Sequence, residues 1–289
     1  MTVQFTDRRQ VRRGFARVAA HYGAVDFLAR EVDRRMQERL DFVRLEPGRI
    51  VDIGCSKGAS LGPLQQRYDR ALTIGVDLVP EMLPRPGRGW PAWLPFARPV
   101  GPVALAADAL RLPLASASVG LVWSNLLLHW LDHPLPVLAE GHRILETGGL
   151  LMFSTLGPDT LKELRSAFGD GYAHVQRFAD LHDLGDMLVA CGFADPVMDM
   201  ETLTLTYDSV DQLLAELKAA SPGCAMVGRR RGLAGKGVWR QVRAAYETLR
   251  SAGRLPATFE VIYGHAWKAQ PRKLDDGRSV IRFDAPRRR

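Results

Sequence analysis

The sequence predicts an α/β fold: a mostly parallel sheet with helices on both faces, and an antiparallel strand at the C-terminal end of the core. Two observations carry this reading. From Arg49 onward, short apolar runs alternate with longer amphipathic segments, the pattern of parallel strands joined by crossover helices. At the first junction, Ile50-Val51-Asp52-Ile53-Gly54-Cys55-Ser56-Lys57-Gly58, an apolar run passes through a glycine-bearing turn into a helical segment.

In chain order, helical spacing among many Arg and Glu residues predicts surface or lid helices at 8–19 and 25–40. Core strands follow at 50–53, 72–76, 103–107, 119–123 and 150–154, with helices at 58–68, 134–145 and 179–191. Beyond Phe193, strands at 197–205 and 258–266 lie close enough to suggest antiparallel additions, with helices at 209–220 and 237–251. Residues 84–102 break the rhythm with prolines interleaved with Trp90, Trp93 and Phe96, a loop insertion suited to a substrate lid. The expected organisation is a helical lid (1–45), a core (46–208), a helical substrate or partner insertion (209–254), a final core strand (255–270) and a basic tail (271–289).

A chain of 289 residues with 46% hydrophobic content can bury a substantial core. Its three cysteines, Cys55, Cys191 and Cys224, have neither metal-ligand nor redox spacing, so no metal and no disulfide framework is expected. The N-terminus lacks an apolar stretch after its charges, and no run of 18 apolar residues occurs anywhere. These features predict a cytoplasmic protein with no membrane association, taken here as monomeric. The net charge of +7 favours acidic partners, and much of it sits in Arg229-Arg230-Arg231 and Arg287-Arg288-Arg289. No nucleic-acid motif accompanies that charge, so nucleic acid is not an expected partner.

Glycine in the turn after the first strand lets backbone approach a ligand, and a helix N-terminus there offers free N–H groups to an anionic end. A nucleotide-bearing cofactor is expected. Asp77, at the end of the second strand and 19 positions past Gly58, can accept both hydroxyls of a ribose. The dinucleotide fingerprint G-x-G-x-x-G is not met, because Ser56 and Ala59 stand where its second and third glycines would be. Further on, Ala106-Ala107-Asp108-Ala109-Leu110-Arg111-Leu112-Pro113 leads into a strand ending Trp123-Ser124-Asn125. That order resembles the class I S-adenosyl-L-methionine-dependent methyltransferases, whose fold is Rossmann-like.

The resemblance implies that Asp108 and the backbone after it hold adenine, that Asp77 holds ribose, and that Gly54 and its neighbours face the methionine moiety. Asp52, Ser56, Gly58, Leu78, Ala109 and Asn125 complete the implied cofactor set. Ser56 departs from the family, which usually has glycine there. Five further segments in order are similar to the malonyl-acyl-carrier-protein methyltransferases of biotin synthesis: residues 9–22, 124–130, 153–165, 175–186 and 255–267. The activity so implied is O-methylation of the free malonyl carboxylate, with acidic acyl-carrier protein as partner. Two alternatives stay open: a methyltransferase for a small free acid, and a non-catalytic assembly factor that keeps the fold.

A carboxylate, with a pKa of roughly 4, is already ionised at neutral pH, so its methylation needs alignment and exclusion of water rather than a base. One oxygen must be gripped while the other attacks. Arg165 and Arg177 suit that grip by their planar donor geometry, together with the Tyr22 phenol. His129 is a candidate positioning residue and Trp130 a pocket wall. Arg229, Arg230, Arg231 and Lys236 are candidates to dock the acidic carrier protein.

Overall fold

The computed structural model describes residues 5–84 and 102–269. The Trp-bearing loop and the basic tail 271–289 therefore lie outside the described residues.

The chain begins with α1 (Arg8–Val18), whose N-terminus is capped by Asp7 accepting from the Gln10 N–H at 3.0 Å. Next come α2 (Tyr22–Val25) and α3 (Phe27–Arg39). The single helix expected at 25–40 is thus broken at Asp26, whose backbone leaves the helical region with ψ +25°. Parallel strands β1 (Arg49–Ile53), β2 (Leu72–Asp77), β3 (Val103–Ala106), β4 (Val119–Ser124) and β5 (Leu145–Leu156) build most of the sheet. Helices α4 (Leu61–Arg67) and α5 (Leu135–Ile144) fall between them. The helix expected from residue 58 starts only at Leu61, because Gly58 adopts a left-handed backbone with φ +78°. The segment holding His129 is a single 3-10 turn, Leu128–Trp130.

After α6 (Lys162–Ala167) and α7 (Leu181–Ala190) come β6 (Ala194–Tyr207), α8 (Val210–Ala220), α9 (Lys236–Glu247) and β7 (Leu255–Trp267). The seven strands lie in the order β3-β2-β1-β4-β5-β7-β6, with β7 antiparallel to both its neighbours. The antiparallel strand at the end of the chain is therefore an interior strand. Its burial agrees: nearly all of β7 is shielded, while β6 alternates between half-buried and exposed along its length.

Alternate residues of each strand feed opposite cores, as a pleat demands. Val51, Ile53, Val122, Leu151 and Phe153 pack toward α5 and α7, where Val137, Leu138, Leu184 and Leu188 meet them. Ile50, Leu121, Trp123, Leu150 and Met152 pack toward α3, where Val32 and Met36 are fully buried. Each such large apolar side chain contributes about 1.5–3 kcal/mol. Order reverses between β1, which has β2 on one flank, and β4 on the other, so a crevice opens beyond the carboxyl ends of these two strands. Helix α1 and the end of α8 roof that crevice, meeting where Gly14 lies directly against Pro222. The roof is tied down by an Asp7–Arg229 ion pair at 3.1 Å and by the Asp7 N–H donating to the Ala225 carbonyl at 2.8 Å.

Candidate active site

The turn after β1 is built from three left-handed backbone positions, Gly54 (φ +80°), Ser56 (φ +48°) and Gly58 (φ +78°). This alternation explains why glycine suits all three and why Ser56 is strained. A left-handed L-residue costs roughly 1–2 kcal/mol. Ser56→Gly is expected to raise unfolding stability by about 0.5–1 kcal/mol after the entropy glycine adds to the unfolded chain, read from the denaturant midpoint. A lowered midpoint would show that the serine hydroxyl is needed there.

Asp77 locks the turn. One carboxylate oxygen accepts from the Ser56 N–H at 3.0 Å and the other from the Val79 N–H at 2.8 Å. Burial raises its pKa despite these donors. Asp52, at the end of β1, is 1% exposed, and burial, with the charges of Asp33 and Asp77, raises its pKa well above the usual range. Neither of its carboxylate oxygens has a hydrogen-bond partner among the described residues. The nearby Ser60 hydroxyl donates to Asp33 instead, at 2.7 Å. Asp52 faces a small recess of about 30 Å³ that it shares with Tyr22, Asp26, Ser56 and Asn125. A buried, unpartnered carboxylate beside a recess suits a cationic ligand group.

The recess adjoins a cavity of about 740 Å³, with Tyr22, Asp26, Gly54, Ser56 and Asn125 lining both. Leu78, Asp77, Asp108 and Ala109 line one end of the cavity; His129, Trp130, Phe178, Leu214 and Phe259 are also in its walls. Arg8 of α1 reaches Asp108, its Nη2 lying 3.0 and 2.8 Å from the two carboxylate oxygens, and the Leu110 N–H donates to the same group at 3.0 Å. A chain of rings runs along the roof and wall: Phe15 stands edge-on to Trp130 with centroids 5.3 Å apart, and His129 lies 4.9 Å from Trp130 and 5.9 Å from Phe178.

The structure gathers most of the sequence-predicted site residues and leaves three outside. Gly58 is not among the cavity-lining residues and serves the turn's shape, held against Leu61 and Pro84. Arg165 is exposed and donates to the Pro158 and Thr160 carbonyls at 2.9 and 3.0 Å, so it closes a loop rather than facing the cavity. Arg177 is also exposed, with its guanidinium 4.9 Å from the Phe5 ring centroid. Asn125 borders the cavity but commits its amide: its nitrogen donates to the Ala29 carbonyl at 2.8 Å and its oxygen accepts from Ser154 at 2.7 Å. In the Arg cluster, Arg229 pairs with Asp7 and Arg230 with Asp170, which makes both internal struts. Sequence reading missed Phe15, Asp26, Arg8, Arg12, Arg17 and Lys218, all in the cavity wall. The available signal was α1 itself, which carries five arginines and no acid between residues 8 and 18.

His129 is 7% exposed with its Nδ1 unpartnered, and burial lowers its pKa from 6.5 to about 3. The unfolded chain therefore binds a proton below pH 6.5 that the folded chain refuses. The His129 contribution is intact above that pH and falls by about 1.4 kcal/mol per pH unit beneath it. Asp33, Asp52 and Asp77, whose pKa values are raised, pull the opposite way in acid. The His129 share is therefore the difference in acid slope between the native protein and His129→Phe, measured by chemical unfolding from pH 7.5 to 5. Equal slopes would contradict a buried neutral imidazole.

A methyltransferase-domain family matches residues 51–153, which span β1 to β5. The chain is 51% identical to the malonyl-[acyl-carrier protein] O-methyltransferase of Laribacter hongkongensis, with 96% of each chain covered. The chain belongs to this family. The corresponding protein of Gallionella capsiferriformans is 46% identical with the same coverage. The fold is also that of a solved structure from Bacillus halodurans, 14% identical, with a TM-score of 0.55 over 82% of this chain and 100% of that one.

Within this O-methyltransferase family member, the five segments singled out in the sequence converge on one place. Residues 9–22 form the roof, 124–130 supply His129 and Trp130, 153–165 carry Leu156 and Leu161, 175–186 supply Phe178, and 255–267 form β7 with Phe259. Among the described residues no cluster of three His, Cys, Asp or Glu side chains is arranged to hold a metal, and no helix is long and apolar enough to cross a membrane.

Proposed function

We propose that this protein methylates the free carboxylate of malonyl-acyl-carrier protein, using S-adenosylmethionine and leaving a methyl ester and S-adenosylhomocysteine. Esterification would mask the charge so that a chain-elongating enzyme of biotin synthesis accepts the dicarboxylate as an ordinary acyl group. The supporting observation is that one cavity joins the acid-lined turn after β1 to an apolar wall from α6, α8 and β7. The chemistry of the donors fits the cofactor: Asp52 offers an unpartnered carboxylate to an ammonium, Asp77 two acceptor oxygens to a ribose, and Asp108 with Ala109 an edge for adenine. When bound, S-adenosylmethionine supplies a methyl group on a sulfonium centre.

The chain's own residues then orient and desolvate the acceptor. Burial, with the Asp26 charge, raises the Tyr22 phenol to about 12, so it stays protonated and donates to one carboxylate oxygen while the other is left to attack. His129, kept neutral, adds a dipole rather than a charge, which holds the nucleophile without blunting it. With Arg165 and Arg177 engaged elsewhere, phenol and imidazole take over the grip expected of a guanidinium. Phe15, Trp130 and Phe178 exclude water from the same space. For carrier docking, Arg231 and Lys236 have no charged partner among the described residues, unlike Arg229 and Arg230. Free Cys55, Cys191 and Cys224 suit a reducing cytoplasm.

Tyr22→Phe removes one hydrogen bond to a charged acceptor, about 1.5–3 kcal/mol, so kcat should fall roughly 10- to 150-fold. Steady-state kinetics on malonyl-acyl-carrier protein check this, with an unchanged KM for S-adenosylmethionine. An unaffected kcat would remove Tyr22 from the reaction. Equal turnover of free malonate would favour the small-acid reading over the carrier-bound one.

A further inference from the structure

The arginines of neighbouring helices differ in one respect. On α3 and just before it, acids are at hand: Arg30 pairs with Asp26, Arg34 with Glu31, Arg35 with Glu31 and Glu201, and Arg39 with Asp199. On α1, among the described residues, only Arg8 has such a partner, Asp108. Arg12 and Arg17 are exposed, border the cavity, and have no hydrogen-bond or ion-pair partner among the described residues. Lys218 of α8 is in the same situation. The contact of Gly14 with Pro222 sets α1 against the turn that follows α8, just beyond Lys218, and Arg12, Arg17 and Lys218 all line the cavity. Three unpaired cations thus stand on the rim of one mouth.

Unpaired cations of like sign repel one another and favour an anion between them. The cofactor is a poor candidate for it, because the acids Asp52, Asp77 and Asp108 mark the cofactor's end of the cavity. Between rim and turn the wall is apolar, formed by Leu161, Leu164, Leu214, Leu217 and Phe259. A ligand matching this sequence has a reactive acyl end inside, a long uncharged arm along the wall, and an anion at the surface. An acyl group on a phosphopantetheine arm has that build.

We propose that Arg12, Arg17 and Lys218 form a phosphate-binding collar that engages the phosphate of the pantetheine arm carrying the malonyl group. This rests on the thioester reading of the acceptor given above. The phosphate chemistry is shared by the carrier protein and coenzyme A, so the collar selects the phosphorylated arm rather than the protein that bears it. Protein-borne selectivity falls to other surfaces.

The test compares kcat/KM for malonyl-acyl-carrier protein, malonyl-coenzyme A, malonyl-phosphopantetheine and malonyl-pantetheine, the last having no phosphate. The native protein should prefer malonyl-phosphopantetheine to malonyl-pantetheine by about tenfold, and Arg12→Gln, Arg17→Gln and Lys218→Gln should each lose about twofold, as expected of exposed ion pairs. The losses should be confined to the three phosphorylated acceptors, shrink as salt rises, and be restored by Arg12→Lys at that position. Equal use of the phosphorylated and unphosphorylated arms by the native protein would overturn the collar. Losses on the carrier protein alone would overturn it in favour of a protein contact, and a raised KM for S-adenosylmethionine would overturn it in favour of a cofactor contact. No transfer to any malonyl thioester would instead remove the acceptor reading, and the collar with it.

Discussion

Asp77→Ala is expected to raise the dissociation constant for S-adenosylmethionine by at least about 100-fold and to abolish methyl transfer. The side chain does two things at once. It accepts from the Ser56 and Val79 N–H groups, which sets the turn, and it lies in the cavity wall where ribose hydroxyls would donate. Hydrogen bonds to a charged group are each worth about 1.5–3 kcal/mol, so losing two from the ligand alone amounts to at least about 3 kcal/mol, or roughly 100-fold. Asp77→Asn keeps one acceptor oxygen and should fall between the two, at about tenfold. Calorimetric titration with S-adenosylmethionine and S-adenosylhomocysteine reads both variants. Native affinity in Asp77→Ala would show that the ribose lies elsewhere.

Gly14→Val should nearly silence the enzyme without touching a single group at the reacting end. A β-carbon at residue 14 would collide with Pro222, whose Cα would lie 2.6 Å away. Both atoms belong to stiff segments, an α-helix and a proline ring, so neither yields cheaply. Overpacking of this kind costs about 1–3 kcal/mol, and here it parts the two halves of the roof. Water then enters a site that works by excluding it, and kcat/KM for the acceptor should drop by roughly 100-fold, in line with the effect of small misplacements of reacting groups. Thermal unfolding and acceptor kinetics distinguish the outcomes: loss of activity in a folded protein supports the roof, and native activity in Gly14→Val would show that α1 and Pro222 need not touch.

The parts of this molecule legible in the sequence are those governed by local periodicity. Apolar runs such as Ile50 to Ile53 and Val119 to Trp123 became β1 and β4 almost to the residue, because each is buried on both faces. The glycine turn was legible because a left-handed backbone leaves a mark in composition, and Asp77 because it closes a strand beside that turn. Sheet order was not, since nothing local tells β7 that it will insert between β5 and β6. The places of the two guanidiniums were not legible for a similar reason. Arg165 and Arg177 fall in segments that do reach the cavity, but their direction depends on carbonyls and rings brought near only by the fold. Conversely, Gly14 meets Pro222 across more than 200 residues of chain, and Arg12 and Lys218 line one cavity, a proximity visible only once α1 lies against the turn that follows α8.

Carboxylate methylation is tested most directly by transfer of labelled methyl from S-adenosylmethionine to purified malonyl-acyl-carrier protein by the full chain, followed by mild base. Label should appear on the carrier protein, be released by base as methanol and be absent with Asp77→Ala. Tight cofactor binding with no transfer, or label that resists base, would contradict carboxylate methylation.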